Sequence, residues 1–288
     1  MRVGLVGAGR IGVLHAGTLT DDPRVAGLVV ADVDNGRARQ LADKVGAEVA
    51  AVDELFDGHA DAVVIAAATS AHAELVHRAL DAGIPVFCEK PLAADVPGTP
   101  EVLVHASAGG GSLYIATSGG IFRDCFIHDF DSLRFVTGRE VVSVFAVGGN
   151  KGADFFASAG DVDTATVTLL LDDGTVATVL GGRYNGAGYD VRFEVHGSRA
   201  MIAVGLDEQA PLRSAERGVA WPDGRPYASF FERFQAAYAT ELADFVAHAL
   251  GRIPNPCPPE DALEALYVAE AAALSLAERR PVQVDEVR

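Results

Sequence analysis

Three groups of residues have the types and spacing to do chemistry. The first is Val3-Gly4-Leu5-Val6-Gly7-Ala8-Gly9-Arg10-Ile11-Gly12, with Asp32 twenty residues after Gly12. An apolar strand enters these glycines and a helical pattern leaves them. Gly7 permits a tight turn, Gly9 lets backbone approach a pyrophosphate, and Gly12 lets the helix pack close to the strand. Ala8, Arg10 and Ile11 complete a loop expected to lie along a dinucleotide. Asp32 ends the apolar run Val25–Ala31. A carboxylate there accepts hydrogen bonds from the ribose hydroxyls of NAD and repels the 2′-phosphate of NADP. No arginine follows it before Arg37, so NAD is the expected cofactor. Two plainer uses remain: a glycine turn in a flavodoxin-like fold with no ligand, and Asp32 as cap of the helix starting near Asn35.

The second group is Cys88-Glu89-Lys90-Pro91-Leu92 at the end of a short strand. Ligands of doubly wound sheets bind at the carboxyl ends of strands, so Lys90 is aimed into the crevice a nicotinamide would enter. A surface lysine is the plainer reading. The third group is Ser118–Asp131, helical in pattern from Ile121 to Val136. Asp124 and His128 are four residues apart and share a helix face, while Phe122, Cys125, Phe126 and Phe130 can pack elsewhere. Histidine is the natural general base near neutral pH, and a carboxylate one turn away can orient it or hold a substrate hydroxyl. A structural histidine and a solvated acid are the competing readings. A metal site at His128, Asp129 and Asp131 is disfavoured because adjacent residues point to different faces, and no metal is expected.

Composition sets the class. The 288 residues, 49% apolar, suffice for two domains with sizeable cores. A net charge of −17 argues against nucleic acid or anionic membrane as a partner. No apolar run approaches the roughly 18 residues of a membrane span. The chain enters a strand at once, with no visible signal peptide. Cys88, Cys125 and Cys257 form no CxxC pair, which fits reduced thiols and a cytoplasmic protein.

These groups need a scaffold. Up to about residue 90, strands are expected at Arg2–Val6, Gly27–Ala31, Val49–Ala51, Ala62–Ala67 and Pro85–Cys88, and helices near Ile11–Leu19, Gly36–Val45 and Ala71–Ala82. That alternation predicts a Rossmann-type, doubly wound parallel α/β sheet. From about residue 140, strands at Glu140–Val147, Asp163–Leu171, Thr175–Tyr184, Tyr189–His196 and Ala200–Val204 predict an α+β domain with helices on one open, mostly antiparallel sheet. Asp172-Asp173-Gly174 and His196-Gly197-Ser198 form its turns. A helix carries Phe230, Phe231, Phe234, Tyr238, Leu242, Phe245 and Ala249 as a core stripe, and Glu260–Arg279 is the last helix. The expected domains are 1–117 and 118–288. Pro97-Gly98-Thr99-Pro100 and Gly109-Gly110-Gly111-Ser112 read as a flexible connection.

The glycine fingerprint, Asp32, Thr69-Ser70-Ala71-His72, Glu89-Lys90-Pro91, Gly119–Asp124 and Ile127–Asp131, with Arg183-Tyr184-Asn185, Gly188-Tyr189-Asp190 and Glu194–Gly197, together resemble the Gfo/Idh/MocA oxidoreductases, inositol 2-dehydrogenase branch, over nearly the whole chain. The resemblance implies an NAD-dependent oxidoreductase of a polyol or sugar hydroxyl, inositol-like, working as a homo-oligomer, dimer or tetramer, through its second-domain sheet. It implies that His128 takes the hydroxyl proton, Lys90 stabilises charge on that oxygen, and Asp124 grips a neighbouring hydroxyl. Ala67, Thr69, His72, Glu89 and Lys90 join the glycine loop and Asp32 along the cofactor.

One departure stands out. Lys90 and Asp124 are 34 positions apart, closer than the family pattern, and a stretch contributing to the substrate site and sheet edge is missing. Gly109–Ser112 stands in its place, with Leu113–Ala116 as a vestigial strand. A naturally shortened chain, an excision bridged by a linker and a sequence lacking part of the natural one all fit. The alternative function is accordingly a catalytically inactive NAD- or sugar-binding protein. A third reading is NADP-linked reduction of a keto-sugar.

Overall fold

The computed structural model describes residues 1–90 and 118–288. The 97–100 and 109–112 connection, the 113–116 strand and the domain boundary at 117 lie outside them. The described chain forms two compact units, Met1–Gly182 with Glu241–Arg288, and Arg183–Thr240.

In the first unit, β1 (Arg2–Val6), β2 (Gly27–Ala31), β3 (Glu48–Val49), β4 (Ala62–Ile65) and β5 (Val86–Cys88) make one sheet in the order β3-β2-β1-β4-β5. Every pairing is parallel. Side chains alternate between two cores, as the two-residue strand period requires. Val3, Leu5, Leu28, Val30, Ala62 and Val64 face one layer, and Val6, Val29, Ala31, Val63 and Ile65 the other. A strand covered on both sides can be apolar throughout, which is why β4 reads Ala-Val-Val-Ile. The helices α1 (Arg10–Asp21), α2 (Asn35–Val45), α3 (Val52–Glu54) and α4 (Thr69–Asp81) connect these strands. The strand order reverses between β1 and β4, the switch point that opens a crevice at their carboxyl ends.

Past residue 118, a π-helical turn (Phe122–Phe126) runs into α5 (Ile127–Thr137). Then come β6 (Val141–Gly149), α6 (Phe155–Ser158), β7 (Thr164–Leu171) and β8 (Val176–Gly182). Val144, Ala146, Val167, Leu169 and Leu171 are buried on one sheet face, and β6 packs along α9 (Pro259–Glu278). Ser275 on α9 accepts from Ala146 N at 3.0 Å and donates to Arg280 O at 2.6 Å, satisfying polar groups at this seam. The opposite face leaves Phe145, Val147, Leu170, Val176 and Leu180 exposed.

The expected single antiparallel sheet is divided. β6, β7 and β8 pair antiparallel with β11 (Val282–Gln283) in the order β11-β6-β7-β8, whereas β9 (Phe193–His196) and β10 (Met201–Val204) form a two-stranded sheet in the second unit. After β8 the chain runs through Gly186 and Gly188, which contribute no side chain to a ladder. The edge strand β11 has two residues, too few for periodicity to reveal. The expected aromatic helix is also broken. α7 (Phe230–Arg233) ends at Phe234, and α8 begins at Gln235 and runs to Ala249. The break lets Phe230 and Phe234 both meet the Tyr189 ring, with centroids 6.3 and 6.2 Å away. Of the stripe, Leu242 and Phe245 are buried, joining the parallel-sheet core with Val246.

Phe122, Phe126 and Phe130 stack edge to face behind the π turn and α5, with centroids 5.7 and 6.2 Å apart. A Cβ at Gly181 on β8 would lie 2.5 Å from Phe126 Cε1. Phe126 is buried between two rings and cannot swing clear. Gly181→Ala is therefore expected to destabilise the protein by about 1–3 kcal/mol through overpacking, read as a lower urea midpoint. An unchanged midpoint would show that Phe126 does not brace this helix.

Candidate active site

The glycine loop forms where β1 meets α1. Gly7 has φ +107°, and a Cβ there would stand 2.4 Å from Ala66 O, so only glycine fits. A Cβ at Gly12 would stand 1.9 Å from Gly7 O. Gly7 N donates to Ala31 O at 2.8 Å, tying the loop to β2. α1 starts behind Gly9 with no side-chain cap and no acid in its first turn, leaving its amides and dipole open to an anion. Arg10 is exposed on the first helical turn, and Ile11 packs toward the core.

Asp32 sits just past β2. Its Oδ2 accepts from Ala8 N at 2.7 Å and its Oδ1 from Asp34 N at 2.8 Å. The cap of α2 is Asp34, which accepts from Gly36 N and Arg37 N, so Asp32 is not spent on capping. A carboxylate offers about four acceptor positions, and two remain beside the loop for ribose hydroxyls. An uncapped helix start and a partly unused carboxylate together suit a dinucleotide.

The end of β4 supplies Ala67 and Thr69. His72 on α4 is buried, and its ring hydrogen-bonds Ala67 O at 3.1 Å, so it fixes that turn from behind. Glu89 N donates to Ile65 O at 3.0 Å, extending the sheet by one residue. The half-buried Cys88 thiol is pushed up to about 12 by desolvation and by the Glu89 charge, and stays a thiol.

Lys90 then reaches the π turn. Its Nζ donates to Asp124 O at 3.2 Å and lies 3.6 Å from Asp124 Oδ1. The turn is anchored at its start by Ile121 N donating to Asp161 Oδ1 at 3.0 Å and by the Arg123–Glu270 ion pair. Sequence spacing predicted one regular helix from Ile121 to Val136, but the structure inserts a π turn at Asp124. Such turns are rare and concentrate at functional sites. Lys90, Asp124 and His128 are nonetheless brought together. His128 is exposed at the surface of the site. Its pKa is lowered from 6.5 to about 4, first by crowding from surrounding protein and then by the Lys90 charge, with Asp124 and Glu89 opposing the shift. At neutral pH the imidazole is uncharged and able to accept a proton. Burial raises its neighbour Asp129 to about 6.

Among the described residues, the metal-type cluster is not His128 with Asp129 and Asp131 but His15, Glu89 and Glu241. Sequence reasoning passed over His15. It follows Gly12 by three positions on the buried face of α1, a place for an apolar residue, and that was its available signal. No described helix is long and apolar enough to cross a membrane.

A Rossmann sheet with this loop, followed by an antiparallel α+β region, defines an NAD-binding oxidoreductase. Residues 1–116 match the family model described as "Oxidoreductase family, NAD-binding Rossmann fold", and residues 114–284 match "Oxidoreductase family, C-terminal alpha/beta domain". The chain belongs to the Gfo/Idh/MocA oxidoreductase family, and its cofactor is NAD. It is 35% identical to myo-inositol 2-dehydrogenase of Thermotoga maritima, covering 100% of this chain and 99% of that protein. It is 34% identical to inositol 2-dehydrogenase of Rhizobium meliloti, with 99% of each covered. Among solved structures, a putative myo-inositol dehydrogenase from Sinorhizobium meliloti superposes with TM-score 0.84 at 31% identity, with 99% of each chain covered. The Thermotoga alignment runs over 335 positions against 288 residues here, so that relative carries residues without counterpart in this chain.

Crowding first and the nearby charges second set the titration of His128. Histidine-selective NMR is expected to find its ring mostly neutral down to about pH 5, with a midpoint well below the ordinary histidine value. Lys90→Gln removes a nearby positive charge and should move that midpoint upward. A midpoint that stays put would mean that Lys90 does not face the ring.

Proposed function

We propose that the protein oxidises a ring hydroxyl of a polyol or sugar, inositol-like, with His128 as general base and Lys90 and Asp124 flanking the reacting oxygen. The observation carrying this reading is the convergence of Lys90 Nζ on Asp124 with a neutral imidazole held in the Lys90 field. His128 takes the proton of the substrate hydroxyl. Lys90 donates a hydrogen bond to that oxygen as negative charge grows on it, an interaction stronger in the transition state than in the ground state. Asp124, beside Lys90, accepts from an adjacent hydroxyl, which favours a substrate with neighbouring hydroxyl groups. NAD, when bound, supplies the hydride acceptor. The glycine loop, α1 and Asp32 hold its phosphates and ribose, with Ala67, Thr69 and Glu89 further along the crevice. The names of the inositol-dehydrogenase relatives support the same substrate class. The extra length of those relatives favours a second reading, a protein that binds NAD without turnover.

One experiment separates the two. NADH formation is followed with NAD and a panel of inositols and aldoses. Turnover is expected with at least one cyclic polyol. His128→Ala should lower kcat by about 10²- to 10⁴-fold, the usual worth of a general base, while leaving NADH binding intact. Asp32→Ala should do the reverse, weakening NADH binding on the order of tenfold or more through lost charge-assisted hydrogen bonds. A folded protein that binds NADH and turns over none of the panel would favour the binding reading.

The exposed apolar face of β6–β8 is read as the surface of a homo-oligomer, because a contiguous patch of this kind marks a contact site. Light scattering should give at least a dimer, and Leu180→Glu, placing a charge in that face, should shift it toward monomer. A monomeric parent protein would remove this assignment.

A further inference from the structure

His15 lies on α1 with its side chain fully buried, and its Nε2 is 2.6 Å from Glu89 Oε1. The ring stands edge-on to Phe87, with centroids 5.7 Å apart and planes at 87°, and Phe87 packs in turn on Phe245 at 5.8 Å. The imidazole is therefore clamped by the core and offers a fixed hydrogen-bonding point to a carboxylate at the crevice edge. Glu89 is held twice, by its backbone N–H on Ile65 O at 3.0 Å and by its side chain on His15. The next residue is Lys90, whose long flexible stem takes its direction from the backbone it leaves. A third group, the Glu241 carboxyl, has an oxygen within 4.8 Å of the His15 and Glu89 atoms. Crowding by neighbouring protein and the Glu89 charge push this solvent-reaching carboxyl up to about 8.

We propose that His15 is a positioning residue: by hydrogen-bonding the Glu89 carboxylate from inside the core, it fixes the Glu89-Lys90 turn and aims the Lys90 ammonium at Asp124. An apolar residue would fill this place on α1, next to Ala16 and Leu19, without burying a polar ring. The polar ring is placed where it serves Glu89. The catalytic consequence rests on the reading of Lys90 given above, while the structural consequence does not.

The test compares His15→Leu, which removes the hydrogen bond, with His15→Gln, which restores a donor at similar reach. Three quantities are read in folded protein, checked by circular dichroism and melting: NADH affinity, kcat separately from KM, and acylation of Lys90 by an N-hydroxysuccinimide ester, mapped by peptide mass spectrometry with Lys44 as internal reference. His15→Leu should bind NADH within about threefold of the parent and lose kcat by about 10- to 100-fold, the scale of a misaimed catalytic group. Its Lys90 should be acylated several times faster, because the ammonium is no longer held on Asp124. His15→Gln should bring both values back to within about threefold of the parent. Lys90 acylation unchanged in folded His15→Leu would overturn the proposal, as would loss of kcat that Gln does not rescue. If His15→Leu does not fold, Glu89→Ala replaces it: faster Lys90 acylation supports the proposal and unchanged acylation overturns it. Should the parent turn over no polyol, the functional reading fails, and the acylation measurement still decides whether His15 aims Lys90.

Discussion

The candidate site depends on a cation held against an anion, with an imidazole in the field of both. Lys90 Nζ sits 3.2 Å from the Asp124 carbonyl and 3.6 Å from its carboxylate, and its charge helps hold His128 unprotonated. Asp124 compensates the ammonium, and the ammonium adds to the desolvation that keeps the ring unprotonated, while the Asp124 charge opposes it. The Lys90 side chain is partly open to solvent, so screening weakens the pair, and a substrate that displaces water would strengthen it. The two contacts also bring the end of a parallel strand against a π turn 34 residues further along the chain. Elements on both sides must therefore be rigid enough to deliver their side chains.

That rigidity comes from packing on each side. The Glu89 N–H ties the chain to β4 just beyond β5, so the backbone that leads into Lys90 is fastened to the sheet. Asp124 sits on a turn braced from behind by Phe122, Phe126 and Phe130 and pinned at its start by Asp161 and Glu270. Gly181 on β8 is the other half of this brace, because any side chain there would meet the Phe126 ring. The antiparallel sheet thus sets the position of Asp124 and His128, and the parallel sheet sets Lys90.

The parallel sheet, its glycine loop and Asp32 were legible because strand and helix periods alternate cleanly and fully buried strands are apolar throughout. A strand end singled out Lys90 and a helical spacing singled out Asp124 with His128, and only the family resemblance joined the three into one candidate trio. The π turn at Asp124 was not, since one extra residue in a turn leaves the apolar spacing of Phe122, Phe126 and Phe130 almost regular. β11 escaped notice because two residues carry no period, and it exists through pairing with Ser143 and Val144 far away in sequence. The separation of β9 and β10 from the larger sheet was hidden for the same reason: alternation announces a strand but not its partner.

The longer alignment with the Thermotoga relative makes the closure of this site in a shorter chain a question of which parts are indispensable. The described contacts answer through α1. Its N-terminus presents open amides at the glycine loop, and His15, on the same rigid rod, grips Glu89 beside Lys90. One helix therefore fixes both where a pyrophosphate rests and where the ammonium starts. A displacement of α1 would move cofactor and lysine together, preserving their mutual distance.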